Sequence, residues 1–190
     1  TPEGAEFKVL TAGSLIRVKG FALAIRAFDE FSKDHPESNL RIVGSGPEEH
    51  RLKELVQRTG LQDKVTLVGA VPRDLLLPEM AQCDVFLFPS LRDGGGTVVI
   101  EAMAVGKPVV CLDVGGPGMH INEECGIKVK PSAPEETVHD LANALARLYS
   151  DRHLRSELGK AARERAARIY HWTELGDRLR EIYKVALDAN

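Results

Sequence analysis

Six short apolar runs, at residues 7–12, 40–43, 65–68, 83–88, 109–112 and 127–129, recur along the chain and are separated by segments of helical length. The runs are apolar at nearly every position rather than at alternate ones, the pattern of strands covered on both faces. Between them, segments 21–31, 48–58, 74–81 and 98–105 carry apolar residues at helical spacing, such as Phe21, Ile25 and Phe28 in the first and Leu52, Leu55 and Val56 in the second. These predict helices with a one-sided apolar stripe. Strand followed by helix followed by strand calls for parallel strands joined by right-handed crossovers, hence an α/β fold with a doubly wound, Rossmann-like parallel sheet. After the last apolar run the pattern changes. Segments 135–149, 151–169 and 172–187 predict three successive helices, a helical carboxyl-terminal tail that covers the sheet or reaches toward another domain.

Composition narrows this picture modestly. At 190 residues the chain suits one well-filled domain. A formal net charge of −3 supplies no basic field for nucleic acid or an anionic membrane, so an anion must be held by local devices such as glycine loops and helix ends. Cys83, Cys111 and Cys125 contain no C-x-x-C pair and support neither a disulfide framework nor a zinc site, which fits a reducing cytoplasm. No apolar run approaches the roughly 18 residues of a membrane span. The first residue is not Met, and an excised piece of a longer chain is the expected explanation.

In an open parallel sheet, ligands sit beyond the carboxyl ends of the strands. The loops expected there are rich in glycine: Gly13-Ser14-Leu15-Ile16-Arg17-Val18-Lys19-Gly20 after the first strand, Gly44-Ser45-Gly46-Pro47 after the second, Gly69 after the third and Pro89-Ser90-Leu91-Arg92-Asp93-Gly94-Gly95-Gly96-Thr97 after the fourth. Glycine lets backbone amides approach a phosphate, and a helix N-terminus adds a favourable dipole. Singly, Gly44, Gly46 and Gly69 read as ordinary turns. Four such loops on one rim point to a ligand. The final glycine of a dinucleotide fingerprint is missing after Gly46, and no phosphate loop of the G-K-S/T type occurs, which leaves a nucleotide held mainly by backbone amides.

The segment 93–101 carries the most information, joining an acid, a three-glycine turn, a hydroxyl at a helix start and a second acid. Thr97 and Glu101 fall on one helix face. A diphosphate is expected at Thr97 and the amides of Gly95 and Gly96, with Glu101 accepting from ribose hydroxyls and Asp93 from hydroxyls of a transferred sugar. The competing reading makes Thr97 a plain N-cap and Glu101 a charge that favours the first turn. Lys19 can neutralise a leaving diphosphate, or be a solvated lysine.

Taken together these residues resemble the carboxyl-terminal, nucleotide-sugar-binding domain of glycosyltransferase family four, retaining enzymes of GT-B architecture. The resemblance covers nearly the whole chain. It rests on Gly13-Ser14-Leu15 with Lys19-Gly20, on Asp93 to Glu101 running into Ala102-Met103-Ala104-Val105-Gly106-Lys107-Pro108-Val109, and on Ala81-Gln82-Cys83-Asp84-Val85-Phe86-Leu87-Phe88-Pro89-Ser90. It implies that Glu101 binds the ribose, Lys19 the diphosphate and Asp93 the donor sugar. It also implies that Gly94, Gly95, Gly96 and Thr97 hold sugar and phosphates, and that backbone near Gly69 and Val71 meets the base. The donor is a nucleoside diphosphate sugar such as UDP- or GDP-sugar, transferred without a bound metal or other cofactor. An amino-terminal acceptor-binding domain would be missing, with residues 172–190 as the helix that packs on it. Ser14 stands where the family usually has arginine, with Arg17 as a replacement to consider. Asp93 stands where glutamate is usual, and Gly95 where an aromatic is common.

Two further readings compete: a non-catalytic nucleotide-binding or interaction module, in which Ser14 and Asp93 mark a decayed site, and a sugar-nucleotide epimerase of the same architecture. Among six histidines only His120, beyond Gly115-Gly116-Pro117-Gly118, falls on the ligand rim; most of the others read as solvated. The run 152–168 reads as an exposed helix face, and Trp172 as a packing anchor.

Overall fold

The computed structural model describes residues 6–188. Six parallel strands, β1 (Phe7–Ala12), β2 (Ser38–Val43), β3 (Val65–Gly69), β4 (Val85–Phe88), β5 (Val109–Leu112) and β6 (Gly126–Val129), form one sheet in the order β3-β2-β1-β4-β5-β6. Every pairing is parallel. The doubly wound α/β expectation holds, because strands β4 and β5 are buried at every position and need helices on both faces.

Helices α1 (Phe21–Asp34) and α6 (Pro134–Ser150) cover one face. Phe21, Ile25 and Phe28 of the first and Leu141, Leu145 and Leu148 of the second join Val9, Ile42 and Leu87 in one core. Helix α2 (Glu49–Arg58) adds Leu52 and Val56 to it. The other face is covered by α3 (Arg73–Gln82), α4 (Thr97–Ala104) and α7 (Arg152–Tyr170), through Met80, Val99, Met103, Ala162 and Ala166 against Leu10, Phe86 and Cys111. Aspartate 151 caps α7 by accepting from the Leu154 amide at 2.8 Å.

Four local expectations are corrected. Helix α3 has no one-sided stripe: Leu75, Leu76 and Leu77 are consecutive and therefore point about 100° apart, so Met80 is buried while Leu75 is 59% exposed. A short helix, α5 (Gly115–His120), occupies a segment for which the sequence pattern predicts no helix. His35 is not simply solvated, since its ring lies 4.6 Å from that of Phe31 and 4.2 Å from that of Tyr149. Within the charged run of α7, Arg155 is buried, donating to the Leu148 carbonyl at 2.6 Å and pairing with Asp84.

The tail ends in α8 (Trp172–Asp188). Its residues Trp172, Leu175, Leu179, Ile182 and Ala186 alternate spacings of three and four, a continuous apolar seam. The seam is not covered by this domain: Leu179 is 51% and Ile182 63% exposed. Trp172, 86% exposed, anchors nothing here.

Candidate functional site

The strand order sets the site. β1 and β4 are neighbours, yet the chain leaves β1 toward β2 and leaves β4 toward β5, so the topological switch point, where open sheets of this kind bind ligands in a crevice, lies at the carboxyl ends of these two strands. After β1, residues Arg17–Lys19 form a single 3-10 turn that closes on Gly20 at φ 71°, a left-handed conformation. A Cβ on Gly20 would lie 2.0 Å from the Pro89 carbonyl oxygen, so only glycine lets the two loops touch. They are stitched together by the Leu91 amide, which donates to the Val18 carbonyl at 2.8 Å, and by the Ser90 hydroxyl, which donates to the same oxygen at 3.3 Å.

Across this junction the Lys19 ammonium donates to Asp93 Oδ2 in an ion pair whose side chains are 19% and 14% exposed. The other carboxylate oxygen, Asp93 Oδ1, accepts from the amides of Gly95 at 3.1 Å and Gly96 at 2.8 Å. Partial burial pushes the Asp93 carboxyl up. The Lys19 hydrogen bond, the Gly96 amide, the Lys19 charge and the Gly95 amide outweigh that and hold it below the ordinary carboxylate value. A group with a lowered folded-state value contributes stability above the ordinary carboxylate range and loses it as pH falls through the lowered value. Hydrogen exchange at Gly95 and Gly96, corrected for the intrinsic rate, should therefore accelerate on acidification through that window, and should not do so in Asp93→Asn. Unchanged protection in the wild-type chain across the window would contradict the assigned bonds.

The amides of Gly95 and Gly96, expected to face a ligand, are thus turned onto Asp93. Gly96, at φ 54°, precedes α4, and Thr97 is the first residue of that helix rather than its cap. The amides of Thr97 and Val98 lie in the first turn, where no carbonyl of their own helix can reach them. Glu101, one turn on and 15% exposed, pairs with Arg73 Nη2 at 2.7 Å. That arginine, at the start of α3 and 73% exposed, was not singled out from the sequence.

The remaining rim residues divide. Gly13, Gly44 and Gly69 align across β1, β2 and β3: the Gly44 amide donates to the Gly69 carbonyl at 2.8 Å, and a Cβ on Gly44 would lie 1.9 Å from the Gly13 oxygen. Ser14 is exposed on this rim and Val71 half-buried. Arg17 lines a different hollow, with Phe21, Arg51 and Pro134, so the structure does not bring it to Lys19 and Asp93. Gly94 is exposed in the turn, which α5 clamps from the far side: the Gly116 amide donates to the Asp93 carbonyl at 2.8 Å. Among the described residues no cluster of His, Cys, Asp and Glu could hold a metal ion. Among the same residues no helix is long and apolar enough to cross a membrane. Cys83 and Cys111 are buried, and burial pushes both thiols up to about 12.

An uncharacterized glycosyltransferase of Methanocaldococcus jannaschii is 32% identical over 184 residues, 96% of this chain and 46% of the relative. A D-inositol 3-phosphate glycosyltransferase of Paenarthrobacter aurescens is 32% identical over 186 residues, 95% of this chain and 44% of the relative. The chain therefore spans less than half the length of these relatives. Among solved structures, sucrose-phosphate synthase of Thermosynechococcus elongatus superposes with a TM-score of 0.81 at 32% identity, over 98% of this chain and 47% of that one. The UDP complex of HepE from Anabaena, at 22% identity, shares the fold with a TM-score of 0.85 over 97% of this chain and 53% of that one. The family of glycosyl transferases group 1 matches residues 2–165, covering all six strands and both loops of the crevice, and the chain belongs to it.

Proposed function

We propose that this chain is the donor-binding half of a retaining glycosyltransferase that moves a sugar from a nucleoside diphosphate sugar to an acceptor. The observation that carries this reading is the ion pair of Lys19 and Asp93, which joins the loops after β1 and β4 at the switch point of the sheet, with Glu101 one turn into the helix that follows. In the reading, the diphosphate lies against the orphan amides of Thr97 and Val98 and takes the Lys19 ammonium, which stabilises charge on the leaving oxygen as the anomeric C–O bond breaks. The acceptor oxygen bonds to the same face of the anomeric carbon, and its proton passes to the departing diphosphate. Glu101 accepts from the ribose hydroxyls. A metal ion has no part in this account, and Lys19 supplies the compensating positive charge.

Asp93 takes a different part from the longer acid that the family resemblance implied. Its carboxylate is spent on Lys19 and on the glycine amides, so in this chain it shapes the turn, and contact with the donor sugar requires that Lys19 first move to the diphosphate. The same inward turn favours the rival reading of a non-catalytic interaction module whose nucleotide site has decayed. Titration calorimetry with uridine, guanosine and adenosine diphosphates and their sugars separates the two, since the donor domain gives binding heat with at least one sugar nucleotide and a decayed site gives none. An epimerase would release an altered sugar from that nucleotide with no acceptor present.

Binding must also displace Arg73 from Glu101. Arg73→Ala should change stability by less than about 0.5 kcal/mol, because the arginine is exposed. It should raise nucleotide affinity by up to about fivefold, the worth of an exposed ion pair. A fall in affinity would mean that Arg73 holds the nucleotide itself.

The seam of α8 belongs to the same reading, as the surface that packs on an acceptor-binding domain from the rest of a longer chain. Leu179→Glu should accordingly leave the thermal stability of this chain within about 0.5 kcal/mol of wild type. A loss of 2 kcal/mol or more, roughly that of burying an unpaired charge, would show that the seam packs within this domain.

A further inference from the structure

One contact of the donor turn comes from neither β1 nor β4. His120, in the last turn of α5, points Nε2 at the Gly95 carbonyl at 2.7 Å and Nδ1 at the Tyr170 hydroxyl at 2.7 Å. A carbonyl only accepts, so Nε2 carries the hydrogen, and in the neutral ring Nδ1 is then the acceptor for the Tyr170 O–H. Burial pushes the Tyr170 hydroxyl up, which keeps that proton in place. The ring is fixed from other sides as well. It lies edge-on to Tyr170 with centroids 5.2 Å apart, and the Arg165 guanidinium donates to the His120 carbonyl at 2.8 Å. A Cβ on Gly96 would lie 3.2 Å from the His120 ring, so the turn has no slack on that side.

We propose that His120 is a positioning residue: Tyr170 holds its imidazole in the tautomer that donates to the Gly95 carbonyl, and this bond sets the aim of the turn that leads into α4. The consequence reaches beyond the turn. Tyr170 is the last residue of α7, and α8 begins at Trp172, so the root of α8 is two hydrogen bonds from the donor turn. Movement of α8 as its seam is covered would be felt at Gly95 through a rigid ring rather than through the body of the domain. Charged and titratable groups close to this pair include Arg165 and Cys125, and Asp93 of the turn accepts from the Gly96 amide next to the carbonyl that His120 holds.

The role in donor binding rests on reading 93–97 as the donor turn, and the test keeps the two claims apart. Its first readout needs no ligand. Hydrogen exchange at the Gly95 and Gly96 amides is measured by NMR in the wild-type chain, His120→Ala, His120→Gln, His120→Asn and Tyr170→Phe, alongside each variant's melting temperature. Glutamine places an amide donor near the position of Nε2, whereas asparagine reaches only Tyr170. His120→Ala and His120→Asn should speed exchange by about fivefold or more, the loss of one hydrogen bond, and His120→Gln should stay within about twofold of wild type. Tyr170→Phe should fall between them, with the imidazole nitrogen shifts reporting a mixed tautomer. The second readout is uridine diphosphate affinity by calorimetry, expected to follow the same order. Equal exchange in alanine and glutamine variants, with wild-type melting temperatures, overturns the positioning role. Exchange in the expected order with no uridine diphosphate bound by the wild-type chain leaves the positioning role standing and overturns the donor-turn reading for that nucleotide.

Discussion

Glu101→Ala should weaken binding of uridine diphosphate to this chain by about 1.5–3 kcal/mol, the range for a hydrogen bond to a charged group, while leaving the fold intact. The expectation follows from position. Glu101 stands one turn into α4, 15% exposed, and pairs with an arginine that is itself 73% exposed. Removing the carboxylate deletes the acceptor for a ribose hydroxyl pair but uncovers no buried charge, because Arg73 is free to turn to solvent. Circular dichroism and thermal unfolding of the variant should match wild type within about 0.5 kcal/mol. Isothermal titration then reads the binding loss directly, and equal affinity in the variant would remove Glu101 from the site.

Gly20→Ala should have the largest effect on the domain itself, a destabilisation of about 2–5 kcal/mol. Part of that is the left-handed conformation, about 1–2 kcal/mol for a residue with a Cβ. The rest is the new methyl group, which would stand 2.0 Å from the Pro89 carbonyl and must push the β1 and β4 loops apart, at an overpacking cost of about 1–3 kcal/mol. Gly60→Ala is the internal control, because Gly60 has the same φ of 71° but nothing within 4 Å of the added atom. It should cost the conformational part alone. Denaturant unfolding of the two variants side by side checks this. Equal losses would mean that the junction of the loops contributes nothing beyond backbone conformation.

The parts of this molecule that were legible in the sequence are those set by local pattern. β4 and β5 could be read from unbroken apolar runs, since a strand buried on both faces admits no polar position. α1 and α6 could be read because their apolar residues recur at helical spacing. α3 misled for the converse reason: three consecutive leucines satisfy an apolar count while pointing in three directions. α5 was hidden by its own composition, as Gly115, Gly116 and Gly118 are poor helix formers and the element is held by its clamp on the Asp93 carbonyl.

The site divides in the same way. Lys19, Asp93 and Glu101 were each recognisable beside glycines at a strand end, yet nothing local in the sequence says that residues 19 and 93 meet. Their pairing is a property of sheet order, which brings β1 against β4 across 74 positions of chain. The orientation of the Gly95 and Gly96 amides was likewise out of reach, because it depends on which acceptor the short Asp93 side chain leaves nearest to them. Arg73 carried no signal beyond a charge at a helix start. His120 was flagged by its place on the rim, but Tyr170, its partner, lies 50 residues on in another helix.

The central claim is that the crevice between β1 and β4 holds the diphosphate of a sugar nucleotide. A crystal structure of this chain with uridine diphosphate tests it most directly. The account predicts phosphate oxygens within hydrogen-bond distance of the Thr97 amide and of Lys19 Nζ, with the ribose hydroxyls on Glu101 and Arg73 displaced from it. A nucleotide lodged instead in the cleft of about 580 Å³ at the amino-terminal ends of β1, β2 and β3, among Lys8, Arg41 and Lys64, would contradict it.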